Sequence, residues 1–167
     1  MKRVLKIVVA VLVVAFVAIQ FIRPNVTAPP VDQAQSLEAS TQVPADVEAV
    51  FNRSCADCHT NNTVFPWYSQ VAPVSWWLAN HITDGRRHLN LSTWNTYDLK
   101  RKNGKLGEIC EQVKSGEMPL PSYLLVHRNS KLSDADIKTL CDWSEAERGR
   151  LAASPAPSSS PAAARGK

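Results

Sequence analysis

The feature that most constrains this chain is a single Cys-x-x-Cys-His run, Cys55-Ala56-Asp57-Cys58-His59. Two thiols at this spacing lie on one helical turn, where both can bond to the two vinyl groups of a haem. The histidine that comes next offers a ring nitrogen to the iron. The run therefore predicts one covalently attached haem c, with Cys55 and Cys58 as attachment residues and His59 as the proximal iron ligand.

Two other interpretations of the Cys-x-x-Cys pair stay open at this point. A structural zinc site needs two further ligands, usually a second close pair, whereas Cys110 and Cys141 stand far apart in the sequence. A thioredoxin-like redox motif needs alternating strands and helices around it, and no such pattern surrounds this run. Both interpretations are weaker than haem attachment.

The first 22 residues predict a signal anchor. A helix from Val4 to Ile22 would be about 28 Å long, close to the ~30 Å hydrocarbon core of a bilayer. Basic residues precede this stretch and Arg23 alone stands after it, so the positive-inside rule predicts a cytoplasmic N-terminus. We therefore expect a single-pass transmembrane helix in the bacterial inner membrane, with the haem domain in the periplasm. Whether the segment is cleaved stays open.

Composition divides the remainder into three parts. Residues 23–44 are rich in Pro, Gln, Ala, Ser and Thr and predict a flexible linker, and residues 148–167 predict a disordered tail rich in Ala, Ser and Pro. Residues 45–147 are enough for one small domain. The whole chain carries a net charge of +4, yet this domain has 11 Lys or Arg against 13 Asp or Glu. Because the domain has no excess of basic residues, we expect no nucleic-acid partner.

Apolar residues of the domain recur at helical spacing, and nothing alternates long enough to indicate a strand. Four helices are expected: one from Pro44 into Cys55, one over about 73–88, one from a break at Asn103-Gly104 to about residue 115, and one that begins at the capping Ser133. The fold class is therefore all-α.

Met118 is the candidate for the sixth iron ligand. It lies in Gly116-Glu117-Met118-Pro119 between two predicted helices, and a thioether on a short, proline-stiffened loop can reach the distal face of a haem. A gap-filling core methionine is the alternative. His81 and His88, which share a helical face, and His127 are alternative ligands, and an open distal position is the remaining possibility.

Other side chains have two interpretations each. Arg86 and Arg87 could neutralise the haem propionates, although consecutive arginines usually face solvent. Cys110 and Cys141 could pair in an oxidising compartment or remain buried thiols. The aromatic residues between the two ligand motifs could wall the haem or pack in the core; they are Trp67, Tyr68, Trp76, Trp77, Trp94 and Tyr97.

From Cys55 to Trp143 the sequence resembles the bacterial haem-binding domain family of periplasmic or membrane-anchored c-type cytochromes. The matching pieces are Cys58-His59-Thr60-Asn61-Asn62, Pro66-Trp67-Tyr68-Ser69, Pro73-Val74-Ser75-Trp76-Trp77, Gly85-Arg86-Arg87-His88-Leu89-Asn90, Gly116-Glu117-Met118-Pro119, and Leu132-Ser133 with Trp143. The order of elements is also similar to small class I cytochromes c. The resemblance implies a small cytochrome c-like helical domain around one haem, with His59 and Met118 as axial ligands.

These expectations favour an electron carrier over an enzyme. Two filled axial positions leave no room for a substrate and suit electron transfer with a redox partner protein. A haem-based sensor or gas-binding module, in which Met118 is displaced, is the alternative, and a haem peroxidase is a weaker one.

Overall fold

The structure is a computed structural model that describes residues 1–24 and 28–153. Its α-helices are α1 (Lys2–Ile19), α2 (Ala45–Ser54), α3 (Ala56–His59), α4 (Val74–His88), α5 (Leu99–Ser115), α6 (Pro121–Leu124) and α7 (Asp134–Ala153). Short 3-10 turns lie at Gln33–Gln35, Leu37–Ala39, Trp67–Gln70, Leu91–Thr96 and Arg128–Ser130. No strand occurs in the described ranges, which confirms the all-α prediction.

Helix α2 forms where the spacing predicts it and leads into the Cys-x-x-Cys-His run. Asp46 and Glu48 lie in its first turn and Arg53 in its last, as the helix dipole favours. Its buried side chains include Val47, Val50 and Phe51, the predicted apolar stripe. The helix ends at Ser54, so the run forms its own short helix, α3, instead of closing α2.

Helix α5 is longer than predicted because Asn103-Gly104 does not break it. The Asp98 side chain caps the N-terminus by accepting a hydrogen bond from the Arg101 amide at 2.7 Å. The basic residues Lys100, Arg101 and Lys102 therefore lie within the helix. The predicted end is right: Gly116 has φ +75°, a left-handed conformation that favours glycine.

Helices α5 and α7 pack against each other and form the scaffold of the core. A disulfide joins Cys110 on α5 to Cys141 on α7 with an S–S distance of 2.04 Å, so these cysteines are not the buried thiols of the alternative. The core between and around the two helices is a cluster of buried apolar side chains: Leu37, Val47, Val50, Phe51, Leu91, Trp94, Tyr97, Leu106, Ile109, Val113, Leu140 and Trp143.

Residues 28–44, which belong to the segment predicted as a flexible linker over residues 23–44, pack against the domain. Leu37 is fully buried in the core. The Trp143 indole donates a hydrogen bond to the Gln42 carbonyl at 3.0 Å, and the Asn95 side chain donates one to the Ala34 carbonyl at 2.9 Å. Sequence periodicity misses this segment because it forms two single 3-10 turns that bury one large apolar side chain.

Residues 148–153, which were expected to belong to a disordered tail over residues 148–167, are helical. Helix α7 extends to Ala153. The reason is visible at Arg150, which pairs with the buried carboxylate of Glu147 and donates to the Ser40 carbonyl at 3.1 Å. These contacts continue the helix past residue 147. Residues 154–167 lie outside the described residues.

The predicted single-pass anchor, with the haem domain on the periplasmic side, is contradicted. Among the residues described, no helix has both the length and the apolar character needed to cross a bilayer. Helix α1 ends at Ile19, three residues before the expected end at Ile22, and its N-terminal part includes Lys2, Arg3 and Lys6. After α1 the chain contacts the start of α4, where the Trp76 indole donates to the Ile22 carbonyl at 2.7 Å.

The packing of residues 28–44 against the domain can be tested with Leu37→Ala. Truncating a fully buried leucine removes apolar contacts and leaves a cavity, so we expect a loss of about 2–5 kcal/mol in the free energy of unfolding. Leu125→Ala is the matched control, since Leu125 is 77% exposed and its truncation should change stability little. Denaturant unfolding measures both variants. Equal stability of the two would contradict a packed segment.

Candidate functional site

A cavity of about 450 Å³ lies among α2, α3, α4, α5 and the segment from Met118 to α6. This volume is within the range of small-molecule and cofactor sites. Its apolar wall consists of Phe51, Leu89, Leu91, Ile109, Pro119 and Leu120. The predicted site residues that line it are Cys55, Cys58, His59, His81, His88 and Met118. The fold thus brings three separate parts of the sequence to one cavity.

The two cysteines of the Cys-x-x-Cys-His run are free thiols in the cavity wall. Cys55 is the junction between α2 and α3, and its carbonyl accepts hydrogen bonds from the amides of Cys58 and His59 at 3.2 and 3.0 Å. This turn places both thiols beside the same cavity. Burial raises the pKa of Cys55 to about 12 and that of Cys58 to about 11, so both thiols keep their protons at neutral pH.

His59 is held in one orientation by a backbone carbonyl. Its Nδ1 lies 2.9 Å from the Leu89 oxygen, which can only accept, so Nδ1 carries the proton and donates. Burial lowers the pKa of His59 and favours the neutral ring. Nε2 is therefore the unprotonated nitrogen, with a lone pair suited to a metal ion. A fixed tautomer of this kind is the usual support of a metal-binding histidine.

Helix α4 lies unusually close to the Cys-x-x-Cys-His run at Gly85. A Cβ atom added to Gly85 would be 2.7 Å from the Cys58 carbonyl oxygen and 3.2 Å from the Cys58 Cβ. Only glycine fits this approach without movement of the backbone. The close contact sets Leu89, one turn further along the chain, in reach of His59.

Met118 lines the cavity from a different part of the chain. It comes shortly after Gly116, the residue that ends α5, and its amide donates to the Gln112 carbonyl at 3.1 Å. Met118 and His59 therefore border the same space.

The three histidine alternatives divide into two groups. His81 and His88 on α4 line the cavity, and His81 Nδ1 lies 2.8 Å from the Trp77 carbonyl. His127 is not part of the cavity wall. Its Nε2 lies 2.7 Å from the Tyr68 hydroxyl and its ring stacks on Tyr123. The structure thus leaves two histidines as alternative distal ligands.

Arg86 and Arg87, the predicted propionate partners, are not among the residues that line the cavity. Arg86 donates to the Thr60 carbonyl at 2.9 Å and to the Thr63 hydroxyl at 2.8 Å, so it supports the loop after His59. Arg87 forms an ion pair with Asp84 at 2.9 Å. Both arginines lie on α4.

Sequence reasoning missed Lys105, the basic side chain of α5 that does line the cavity. It is only 15% exposed and pairs with Glu108 at 2.5 Å. Lys105, Ile109 and Gln112 recur at helical spacing on the same wall. All three residues fall within the helix predicted after Gly104, but their spacing does not show which face of that helix borders a cavity.

The aromatic residues between the ligand motifs do not wall the cavity. Trp94 and Tyr97 are buried in the core, whereas Trp67 and Trp77 are exposed. The aromatic side chains that do line it are Phe51 and Tyr123, from α2 and α6. Of the two open interpretations, core packing therefore holds for Trp94 and Tyr97.

A family described as a haem-binding domain matches residues 14–146 of this chain. That range covers more than half of the 167 residues and contains every lining residue of the cavity. The chain belongs to the haem-binding domain family. No curated protein and no solved structure matches it. Within residues 1–24 and 28–153, no group of three or more His, Cys, Asp or Glu side chains is arranged to hold a metal ion directly, so the zinc alternative finds no ligand set there.

The cavity of this haem-binding domain fits a haem on its own chemistry. Most of the cavity wall is apolar, and the Cys55 and Cys58 thiols and the oriented His59 ring lie together on one side of it. The Ser54 hydroxyl is buried in the wall and has no hydrogen-bond partner among the described residues. A buried hydroxyl without a partner is costly, and a ligand with polar groups would relieve that cost.

The contact at Gly85 can be tested with Gly85→Ala. The added methyl group would push α4 away from Cys58 and shift Leu89 relative to His59, so we expect less haem per chain and a lower melting temperature. Gly104→Ala is the matched control, because a Cβ there meets no atom within 4 Å and alanine favours helices by roughly 0.5–1 kcal/mol over glycine. Haem absorbance per chain and thermal unfolding measure both variants. Normal haem content in Gly85→Ala would show that the close approach of α4 to Cys58 does not require glycine.

Proposed function

We propose that this haem-binding domain is a c-type cytochrome that holds one haem covalently and transfers single electrons to and from partner proteins. The observation that carries the proposal is the presence of Cys55, Cys58, His59 and Met118 around one cavity. A haem bound there would supply an iron centre that changes between two oxidation states. The haem-binding family supports the cofactor, and the residues of this chain support the covalent mode.

Cys55 and Cys58 are the residues that would hold the haem. Each thiol would add across one vinyl group, with the sulfur bonded to one vinyl carbon and the thiol hydrogen taken up by the other. No oxidant is consumed in this addition. Both thiols line the same cavity beside its apolar wall, so one ligand there could meet both.

His59 and Met118 are the proposed axial ligands. The Leu89 carbonyl fixes the His59 ring so that Nε2 is the ligating nitrogen. Met118 lines the same cavity and carries the one thioether of the domain. A thioether ligand raises the reduction potential of a haem iron, and two filled axial positions favour electron transfer over substrate binding.

Lys105 is the proposed partner of the haem propionates, in place of Arg86 and Arg87. It lines the cavity and is largely withdrawn from solvent. A carboxylate moved out of water needs a charged partner. Glu108 holds the Lys105 ammonium at the wall, where a propionate could share it.

The axial ligands can be tested by spectroscopy of the full chain, produced in a bacterial host that attaches haem c. The oxidised wild type should show the sulfur-to-iron charge-transfer band, and its reduced form should bind carbon monoxide slowly. Met118→Ala and Met118→Leu should both lose the band and bind carbon monoxide rapidly. Met118→Leu is the matched variant because it keeps the side-chain volume but removes the sulfur.

The same spectra separate the proposal from its alternatives. A wild type without the charge-transfer band would contradict His59/Met118 ligation and bring His81 and His88 forward. Rapid binding of carbon monoxide by the reduced wild type would favour a sensor or peroxidase over an electron carrier.

The role of Lys105 can be tested by reduction potentials of Lys105→Gln and Arg87→Gln. Each substitution removes one positive charge, but Arg87 is 70% exposed and its charge is screened by solvent. Loss of a cation near the haem disfavours the reduced form, so Lys105→Gln should lower the midpoint potential by tens of mV, on the order of 30–60 mV. Arg87→Gln should change it much less. Equal shifts in a potentiometric titration would contradict the assignment.

A further inference from the structure

Tyr123 connects the segment after Met118 to the attachment run. It lies on α6 and lines the cavity. Its hydroxyl donates a hydrogen bond to Asp57 Oδ2 at 2.8 Å. Asp57 stands between the two cysteines of the run. This single bond therefore joins parts of the chain that are 66 residues apart.

The ring of Tyr123 is held from its other side by His127. The two rings are stacked with centroids 4.2 Å apart and an interplanar angle of 12°. His127 in turn lies 2.7 Å from the Tyr68 hydroxyl through Nε2. Asp57, Tyr123, His127 and Tyr68 thus form one connected row, which we call the Tyr123 strap.

The chain between Met118 and Tyr123 is short and stiff. It contains Pro119 and Pro121, whose rings fix two of the backbone φ angles. On the other side, Met118 is held by the bond from its amide to the Gln112 carbonyl. A fixed Tyr123 therefore leaves Met118 little freedom to move away from the cavity.

We propose that Tyr123 is a positioning residue, and that its hydrogen bond to Asp57 holds the Met118 segment closed over a haem attached at Cys55 and Cys58. This inference rests on the proposed His59/Met118 ligation. It also gives His127 a role different from iron ligation, namely support of the Tyr123 ring. The strap joins the attachment run directly to the segment that carries the distal ligand.

The test uses the full-length haem-loaded protein and Tyr123→Phe, which removes the hydroxyl but keeps the ring and its stacking. The measured quantity is the rate at which added imidazole displaces the sixth ligand from the oxidised protein. Loss of a hydrogen bond to a carboxylate should make displacement about tenfold faster.

Tyr97→Phe is the matched control. The Tyr97 hydroxyl accepts a hydrogen bond from the Asn90 amide at 2.9 Å in the buried core, away from α6. Its loss should lower the melting temperature while the displacement rate stays within twofold of wild type. A purely structural role of Tyr123 would give the two variants the same displacement rate.

A second variant keeps the test decisive. Asp57→Ala should accelerate displacement, and adding Tyr123→Phe to Asp57→Ala should accelerate it much less than tenfold further, because both substitutions remove the bond between Tyr123 and Asp57. Should Asp57→Ala fail to attach haem, backbone hydrogen exchange of residues 121–127 in Tyr123→Phe gives the second measurement, and we expect faster exchange there than in Tyr97→Phe.

The outcomes distinguish this inference from the proposed function. A wild type that lacks the sulfur-to-iron band overturns both. A wild type that shows the band, with displacement in Tyr123→Phe within twofold of Tyr97→Phe, overturns the strap and leaves the proposed function standing. Faster hydrogen exchange without faster displacement also overturns it, since Tyr123 would then hold the segment without acting on Met118.

Discussion

The close contact between α3 and α4 is the constraint on which the rest of the site depends. Gly85 lies so near the Cys58 carbonyl that no side chain fits between the two helices. Because the helices meet there, the Leu89 carbonyl reaches His59 and fixes its tautomer. The orientation of the imidazole therefore depends on this one backbone approach. If α3 and α4 lay further apart, the Leu89 carbonyl would not reach His59 and the ring would lose its fixed orientation.

The other wall of the cavity depends on α5 and on the segment that connects it to α6. The disulfide and the apolar core hold α5 against α7, and Gly116 then turns the chain so that Met118 lines the cavity. The Tyr123 strap links this segment to the Cys-x-x-Cys-His run through the hydrogen bond from Tyr123 to Asp57. The cavity is thus bounded by α5 on one side and by the short connection from Met118 to Tyr123 on the other, and this connection reaches α3 at Asp57.

Local signals in the sequence predicted much of this fold. The spacing of apolar residues in α2, the glycine that ends α5 and the serine that starts α7 each act within one or two turns, so the sequence displays them directly. Leu37 could not be found this way, since one buried leucine in a 3-10 turn has no period. Lys105 was hidden for a related reason: its position on the cavity wall depends on tertiary packing of α5 and not on its neighbours in the sequence. The motif pointed to Cys55, Cys58 and His59, which do line the cavity, whereas the contacts of Gly85 and Tyr123 arise across the fold and have no signal in the sequence.

The central claim is covalent attachment of one haem at Cys55 and Cys58. The most direct measurement is the intact mass of the denatured chain, because denaturation releases a haem held only by ligation and packing but not one held by carbon–sulfur bonds. We predict the mass of the chain plus one haem for the wild type and for Met118→Ala, and the mass of the bare chain for the double variant Cys55→Ala/Cys58→Ala. A bare-chain mass for a wild-type protein that carries haem before denaturation would contradict covalent attachment.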